Sequence, residues 1–422
     1  MSASDWLVPP AFDGSAASLD AHAEAIGAMM AGRARLWLGP FAPPAQLPAE
    51  LEDTALVVPT SGSTGTAKAV ALSREALIAS QDATAQLLAA EPAVADTGGH
   101  GLWLPLLPPT HIAGVQVLAR AQRSAEVLGL PAPTLPDPLG DLRGHFDAAA
   151  FLALAEPALE QARRAGLPAL TSLVPTQLAR IVTGATGEDA RARAVLRRFA
   201  AVLVGGAATS ADVLARARAQ RIAVRTTYGS SETAGGCVYD RTALPGVRLR
   251  IDRPDAEGAG RLVIASPTLA LGYLTADGGF DEGSFTAGPP REVITSDLAA
   301  LSADGALTVL GRADDVIVTG GRKVLPQDVE RAIDRSLMLR GTVRAAVVVG
   351  VADPEWGERI EALVTLEPGA DPAEAPALVR AALRTSEVPG HLVPKRVHVV
   401  EELPLRGIGK VDRAAARRLA GG

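Results

Sequence analysis

The sequence predicts an α/β protein in which a large layered N-terminal domain of mixed sheets and helices is followed by a small α+β C-terminal domain. Three observations predict it. At 422 residues the chain exceeds the roughly 250–300 residues at which a single hydrophobic core stops growing. From about residue 50 to 310, short apolar β-branched runs alternate with alanine-rich stretches of helical period, the pattern of packed α/β layers. After GRADDVIV the pattern changes to helix, two long apolar strands, helix, strand and helix, about 110 residues in all.

In order, the first strand of the large domain is ALVVP (55–59). It is followed by the glycine-rich TSGSTGTAK (Thr60 to Lys68) and then a helix that Ser73 is placed to cap. Further strands are FAAVLVGG (199–206), AVRTTYG (223–229), RLVIAS (261–266) and ALTVL. In the small unit a helix starts at Pro326, strands follow at VRAAVVVGV and EALVTLE, and a helix lies near ALVRAALRT. A strand at RVHVVEE and a last helix, DRAAARRLA, complete it. The boundary falls between Gly311 and Asp315, giving domains 1–311 and 312–422.

With 48% hydrophobic residues, 21% charged residues and a net charge of -6, the composition is that of a globular enzyme without a basic excess, so nucleic-acid binding is not expected. The N-terminus has no signal-peptide pattern and no run of 18 apolar residues occurs, which points to a cytoplasmic protein. The single cysteine, Cys237, excludes an internal disulfide and a thiolate zinc site. Only four of the 41 basic residues are lysines (Lys68, Lys323, Lys395, Lys410), so a lysine inside a glycine-rich segment stands out. No motif encodes the oligomeric state; a homodimer is one option.

TSGSTGTAK is the strongest local signal. Gly62 and Gly65 let backbone amides approach an anion, Thr60, Ser61, Ser63, Thr64 and Thr66 offer hydroxyl donors, and Lys68 adds a charge. It reads as a phosphate cradle, but not as a Walker P-loop, because Ala67 precedes the lysine and Ala69 follows it. A second segment, TTYGSSETAGG, puts Tyr228, Gly229, Ser230, Ser231 and Glu232 in a turn where the ring can face a purine and the carboxylate can hold magnesium. Gly206 and Ala207 end a strand with small residues that would admit a flat base. Asp297 and Arg312, each at a strand end, are candidates to bond ribose hydroxyls, and Lys410 lies between a glycine-flanked loop and a helix start. Taken singly, each has a bland alternative as a surface loop, strand-end turn or solvated charge.

In order and spacing these segments, over roughly residues 50 to 415, resemble the adenylate-forming superfamily of acyl-CoA synthetases, luciferases and peptide-synthetase adenylation domains. The resemblance implies that TSGSTGTAK cradles ATP phosphates, Tyr228 stacks on adenine, Glu232 binds Mg2+, and Asp297 and Arg312 hold the ribose. It further implies that Asp314 is the hinge of the small domain and that Lys410 contacts the acyl carboxylate and α-phosphate during adenylation. Coenzyme A is implied as the second substrate, its pantetheine arm passing Gly320 and Gly321 in VTGGRKV. TAK replaces the more usual TPK, and SDL replaces GDL.

Three stretches, LPLLPPTHIAGVQVLARA (104–121), SLVPTQLARIV (172–182) and ETAGGCVYD (232–240), resemble those of 2-succinylbenzoate-CoA ligases of menaquinone biosynthesis. That likeness implies His111 near the reacting carboxylate, Gly235 and Gly236 leaving room for a flat ring, and Arg120 or Gln177 as partner of the second carboxylate. Other aromatic or medium-chain acyl-CoA synthetases, acyl-AMP ligases that load a carrier protein, and a non-enzymatic nucleotide-binding protein are the alternatives.

Overall fold

Strands Leu102–Leu104, Ala169–Leu173, Ala201–Val204 and Val224–Ser230 run parallel, side by side, in the middle of the larger lobe. The first three are buried along their whole length, as parallel strands covered on both faces must be. Helices Ile112–Leu128 and Ala148–Ala165 connect the first pair, Pro175–Thr183 and Gly187–Leu196 the second, and Ala211–Ala219 the third. The computed structural model describes residues 6–60, 68–385, 389–406 and 410–421, with backbone alone at Arg406 and Lys410.

A second sheet contains Thr54–Pro59 and Ala69–Ser73, paired antiparallel with Thr54 opposite Ser73 and Pro59 opposite Ala69. This differs from the sequence expectation, which ran TSGSTGTAK directly from strand into helix. The apolar, alanine-rich AVALS reads as the start of a helical pattern, yet all five of its residues are buried as a strand. The helix begins at Arg74, and the Ser73 hydroxyl accepts from Ala76 N at 3.1 Å, so the expected cap is in place. The phosphate-loop segment therefore joins two antiparallel strands, and no helix N-terminus follows it directly.

The alternation of strand and helix also stops earlier than expected. Between Ala219 and Pro326 the described residues hold no α-helix. Instead Arg248–Asp252, Gly260–Ala265, Phe285–Thr286, Glu292–Leu301 and Leu307–Arg312 form an antiparallel sheet. Polar strands such as RLRID, half-buried and rich in arginine, hide this sheet from a search for apolar runs.

After the 3-10 turn Ala313–Asp315 the chain enters a separate sheet built from Ile317–Thr319, Arg322–Val324, Val343–Asp353, Gly357–Leu366 and Arg396–Val399. Helices Pro326–Arg335, Ala375–Thr385 and Arg413–Gly421 accompany it, and Val329, Ile333, Val348, Ile360, Val379 and Leu383 make its core. This unit meets the larger lobe where Arg331 Nη1 donates to Leu310 O at 3.2 Å and Ala211 N donates to Asp334 Oδ2 at 3.3 Å.

Candidate active site

The C-terminal ends of the parallel strands bring the candidate residues together. Val204 pairs with Thr226, so the turn after one strand, with Gly206 at φ +85°, lies beside the strand that carries Tyr228. Ligands of open α/β sheets bind in the crevice at such strand ends. Ala207 is exposed there. Strand Val224–Ser230 then turns back through the 3-10 turn Ser231–Thr233 into Gly235–Tyr239. Ser230 N donates to Thr233 Oγ1 at 2.9 Å, which fixes the turn and with it Glu232. Gly229 is obligatory: a Cβ there would lie 2.0 Å from the Gly235 carbonyl oxygen.

Tyr228 donates its hydroxyl to Asp297 Oδ2 at 2.6 Å, a distance typical of a charge-assisted bond. Burial, with the Asp297 charge beside it, pushes the phenol far above its ordinary range, so it stays a neutral donor. Asp297 pairs in register with Arg312 on the neighbouring strand, and Arg312 Nη2 lies 3.5 Å from Asp314 Oδ2. Tyr228, Asp297, Arg312 and Asp314 thus form one continuous row.

A second row starts at Glu232. Its Oε1 accepts from Tyr273 Oη at 3.0 Å; the Tyr273 ring has Lys68 Nζ 4.9 Å from its centroid; and Lys68 pairs with Asp281 at 3.0 Å. Thr60 N donates to Lys68 O at 2.8 Å, closing the base of the loop. Ser61, Gly62, Ser63, Thr64 and Gly65 lie outside the described residues. So does the side chain of Lys410, whose backbone pairs with Arg406.

Helix Ile112–Leu128 lines the far side of the turn. His111 is its N-cap residue, with Nδ1 3.0 Å from Thr110 Oγ1. One and two turns on, Gln116 donates to Ala234 O at 2.6 Å and Arg120 Nη2 lies 3.3 Å from Tyr239 Oη. Gly235, at φ +101°, faces Ile112 and Gln116, while a Cβ at Gly236 would meet the Tyr239 ring at 2.7 Å. Arg120 is buried, its guanidinium 5.3 Å from the Trp103 ring centroid and without a carboxylate within ion-pair distance among the described residues. Gln177 is engaged elsewhere: its carbonyl accepts from Val174 N at 3.0 Å and its amide donates to Leu106 O at 3.2 Å. Gly320 and Gly321, at φ +55° and +75°, form the two-residue turn between Ile317–Thr319 and Arg322–Val324, a conformation that selects glycine by itself. Cys237 is buried and its thiol is pushed up to about 12, which removes it as a nucleophile.

Sequence reasoning overlooked Tyr273, Asp281 and Gln116. A usable signal existed, since the chain has only three tyrosines, Tyr228, Tyr239 and Tyr273, and all three hydroxyls bond within this region.

A probable 2-succinylbenzoate–CoA ligase of Mycobacterium tuberculosis is 41% identical over 376 residues, covering 88% of this chain and 86% of that protein. The chain belongs to the 2-succinylbenzoate–CoA ligase family. A 2-succinylbenzoate–CoA ligase of Geobacillus kaustophilus is 30% identical over 388 residues, covering 88% and 70% of the two chains. Residues 332–410 match the AMP-binding enzyme C-terminal domain. The o-succinylbenzoate CoA synthetase of Bacillus subtilis, solved with an acyl-adenylate intermediate, shares the fold with a TM-score of 0.64 at 22% identity, over 87% of this chain and 69% of that one. Members of this family are adenylate-forming, AMP-producing acid–thiol ligases, built as a large N-terminal and a small C-terminal domain.

Magnesium suits the donor set. No group of three or more His, Cys, Asp or Glu side chains among the described residues could cage a metal, and Mg2+ characteristically takes one or two carboxylates together with substrate phosphates. Glu232 supplies such a carboxylate.

Proposed function

We propose that this chain ligates 2-succinylbenzoate to coenzyme A at the expense of ATP, as a step of menaquinone biosynthesis. The observation that carries the reading is the convergence of the two rows on one turn: Tyr228 with Asp297 and Arg312, and Glu232 with Tyr273, Lys68 and Asp281. The first row suits a nucleoside and the second its phosphates.

In the first half reaction a carboxylate oxygen of the acid attacks the α-phosphorus and pyrophosphate leaves. Both reactants are anionic, so preorganised positive charge is the main catalytic requirement. Lys410 and Lys68 supply it, with Thr60, Ser61, Gly62, Ser63, Thr64 and Gly65 cradling the phosphates. Glu232 would hold Mg2+, which would supply neutralisation of the phosphate charge. Tyr228, Gly229, Ser230, Ser231, Gly206 and Ala207 border the adenine, and Asp297 and Arg312 take the ribose hydroxyls. In the second half reaction the thiol sulfur attacks the acyl carbonyl carbon, its proton is released and AMP leaves. Rotation of the small unit at Asp314 withdraws Lys410 and brings Gly320 and Gly321 to the site.

The acid lies between His111 and the paired glycines Gly235 and Gly236. Of the two candidates for the second carboxylate, the geometry favours Arg120. The Tyr239 ring fills the space beside Gly236, and its hydroxyl is 3.3 Å from Arg120 Nη2, whereas both ends of the Gln177 amide are taken by backbone. A buried guanidinium without a carboxylate is costly, and an incoming carboxylate would relieve that cost.

The test is incubation with ATP, Mg2+ and coenzyme A against 2-succinylbenzoate, benzoate, medium-chain fatty acids and amino acids, with AMP and thioester measured. A preference for 2-succinylbenzoate is expected. Thioester formation from another acid with none from 2-succinylbenzoate would reassign the substrate.

A further inference from the structure

Tyr273 lies outside every segment that identifies the nucleotide site, yet it joins the two charged groups of its phosphate end. It is 6% exposed and sits on strand Gly272–Leu274, directly opposite Asp281 on Phe280–Asp281. Its hydroxyl donates to Glu232 Oε1 at 3.0 Å and lies 3.5 Å from Ser284 Oγ. Packing fixes the ring itself: Phe285 is 5.6 Å away between centroids, and a Cβ at Gly283 would come within 2.4 Å of it. The backbone repeats the link, since Ala270 N donates to Glu232 O at 2.9 Å. Over the ring lies Lys68, paired at 3.0 Å with Asp281.

We propose that Tyr273 is the positioning residue for the metal carboxylate Glu232, and that Asp281 holds Lys68 over the same ring until a triphosphate draws it away. The inference rests on the nucleotide reading given above. A lone carboxylate on a turn rotates freely and must be ordered each time metal and phosphates bind. A phenol on a packed ring fixes one oxygen beforehand and leaves the remaining lone pairs for the metal. The Lys68–Asp281 pair is 45% and 38% exposed, and exposed pairs of this kind are weak. Phosphate oxygens can therefore displace Asp281, whose negative charge opposes the nucleotide until then.

The experiment uses the full chain and the variants Tyr273→Phe and Asp281→Asn. Free Mn2+ is followed by electron paramagnetic resonance in the presence of a non-hydrolysable ATP analogue, alongside pyrophosphate release at varied Mg2+. Tyr273→Phe keeps the ring and its packing. It should raise the half-saturating metal concentration about tenfold, the effect of one hydrogen bond to a charged group, while kcat at saturating metal stays within about twofold. Asp281→Asn should lower KM for ATP and leave the metal titration unchanged. In a Glu232→Gln background Tyr273→Phe should have no further effect on metal binding, a result that general loosening of the fold would not give. Coincident metal titrations for wild type and a folded Tyr273→Phe would overturn the proposal, as would an equal effect of Tyr273→Phe with and without Glu232. Absence of pyrophosphate release by the wild type with every acid would sink the ligase reading instead, and the Mn2+ titrations would still decide the role of Tyr273.

Discussion

Removing the hydroxyl of Tyr228 or the charge of Asp297 should weaken ATP binding through one shared interaction. The bond between them is 2.6 Å long and has an ionised acceptor; such bonds contribute about 1.5–3 kcal/mol net. Both partners are only partly buried, which brings the contribution down to about 1–2 kcal/mol. At 1.4 kcal/mol per factor of ten, Tyr228→Phe should raise KM for ATP about 5- to 30-fold with little change in kcat. Asp297→Asn should do more, because it also takes the anionic acceptor away from the ribose. The double variant should fall short of the sum by about 1–2 kcal/mol. Pyrophosphate release at saturating acid and Mg2+ gives the KM values, and calorimetry with a non-hydrolysable analogue gives affinities free of chemistry. Because the Tyr228 phenol is held far above its ordinary range, the coupling should not vary between about pH 6 and 9. Additive effects within about 0.3 kcal/mol would refute the shared interaction.

Lys410→Ala should slow adenylation by roughly 10² to 10³, about 3–4 kcal/mol of transition-state stabilisation, while sparing thioester formation from preformed acyl-adenylate; single-turnover assays of each half reaction would separate the two. Gly229→Ala drives a Cβ into the Gly235 carbonyl and should cost about 3 kcal/mol of stability, seen as a lowered Tm. His100 is buried with Nδ1 3.2 Å from Ser124 Oγ, and burial lowers its pKa below 6.5. The unfolded chain then takes up the proton first as pH falls, so this group's stability contribution is complete above about pH 6.5 and declines below it. His100→Asn should flatten the acid limb of Tm against pH; parallel profiles would exclude His100 as its source.

Much of the small unit could be read from sequence. VRAAVVVGV and EALVTLE are the long paired strands, and PQDVERAI opens the helix Pro326–Arg335, because strong periodicity and a proline at a helix start are local signals. The large lobe was less legible after Gly235, where short strands take their partners from distant parts of the chain. Asp297 and Arg312 could be picked out as polar residues at strand ends, but that Tyr228 reaches Asp297 depends on the pairing of separate sheets. Tyr273 and Asp281 sit in a hairpin whose local sequence, GYL and FDE, carries no phosphate signature, and only its antiparallel pairing with Ala69–Ser73 delivers them to Glu232. Residue scarcity was the better clue: in an arginine-rich chain with three tyrosines, Lys68 and two of those tyrosines meet at one turn.

The proposed hinge gains a sharper location from its neighbours. Arg312 is the last residue of strand Leu307–Arg312 and is fixed in register against Asp297. Asp315 is held by Arg413 at 3.2 Å, and the same guanidinium binds Glu330 at 2.7 Å, so Asp315 belongs with the small unit. Both of these pairs are well shielded from solvent, whereas the Arg312–Asp314 pair, at 3.5 Å and 42% and 47% exposed, is too weak to lock the chain. A rotation that preserves both lobes is therefore confined to Ala313 and Asp314. Proline at 314 fixes φ near -65° and restricts Ala313 as well. If one orientation serves adenylation and the other serves the thiol, Asp314→Pro should slow thioester formation at least about tenfold more than adenylation. Rapid quench with radiolabelled ATP measures the first step, and mixing isolated acyl-adenylate complex with coenzyme A measures the second. Equal slowing of both would mean that the pivot lies elsewhere, or that the small unit does not turn between the two steps.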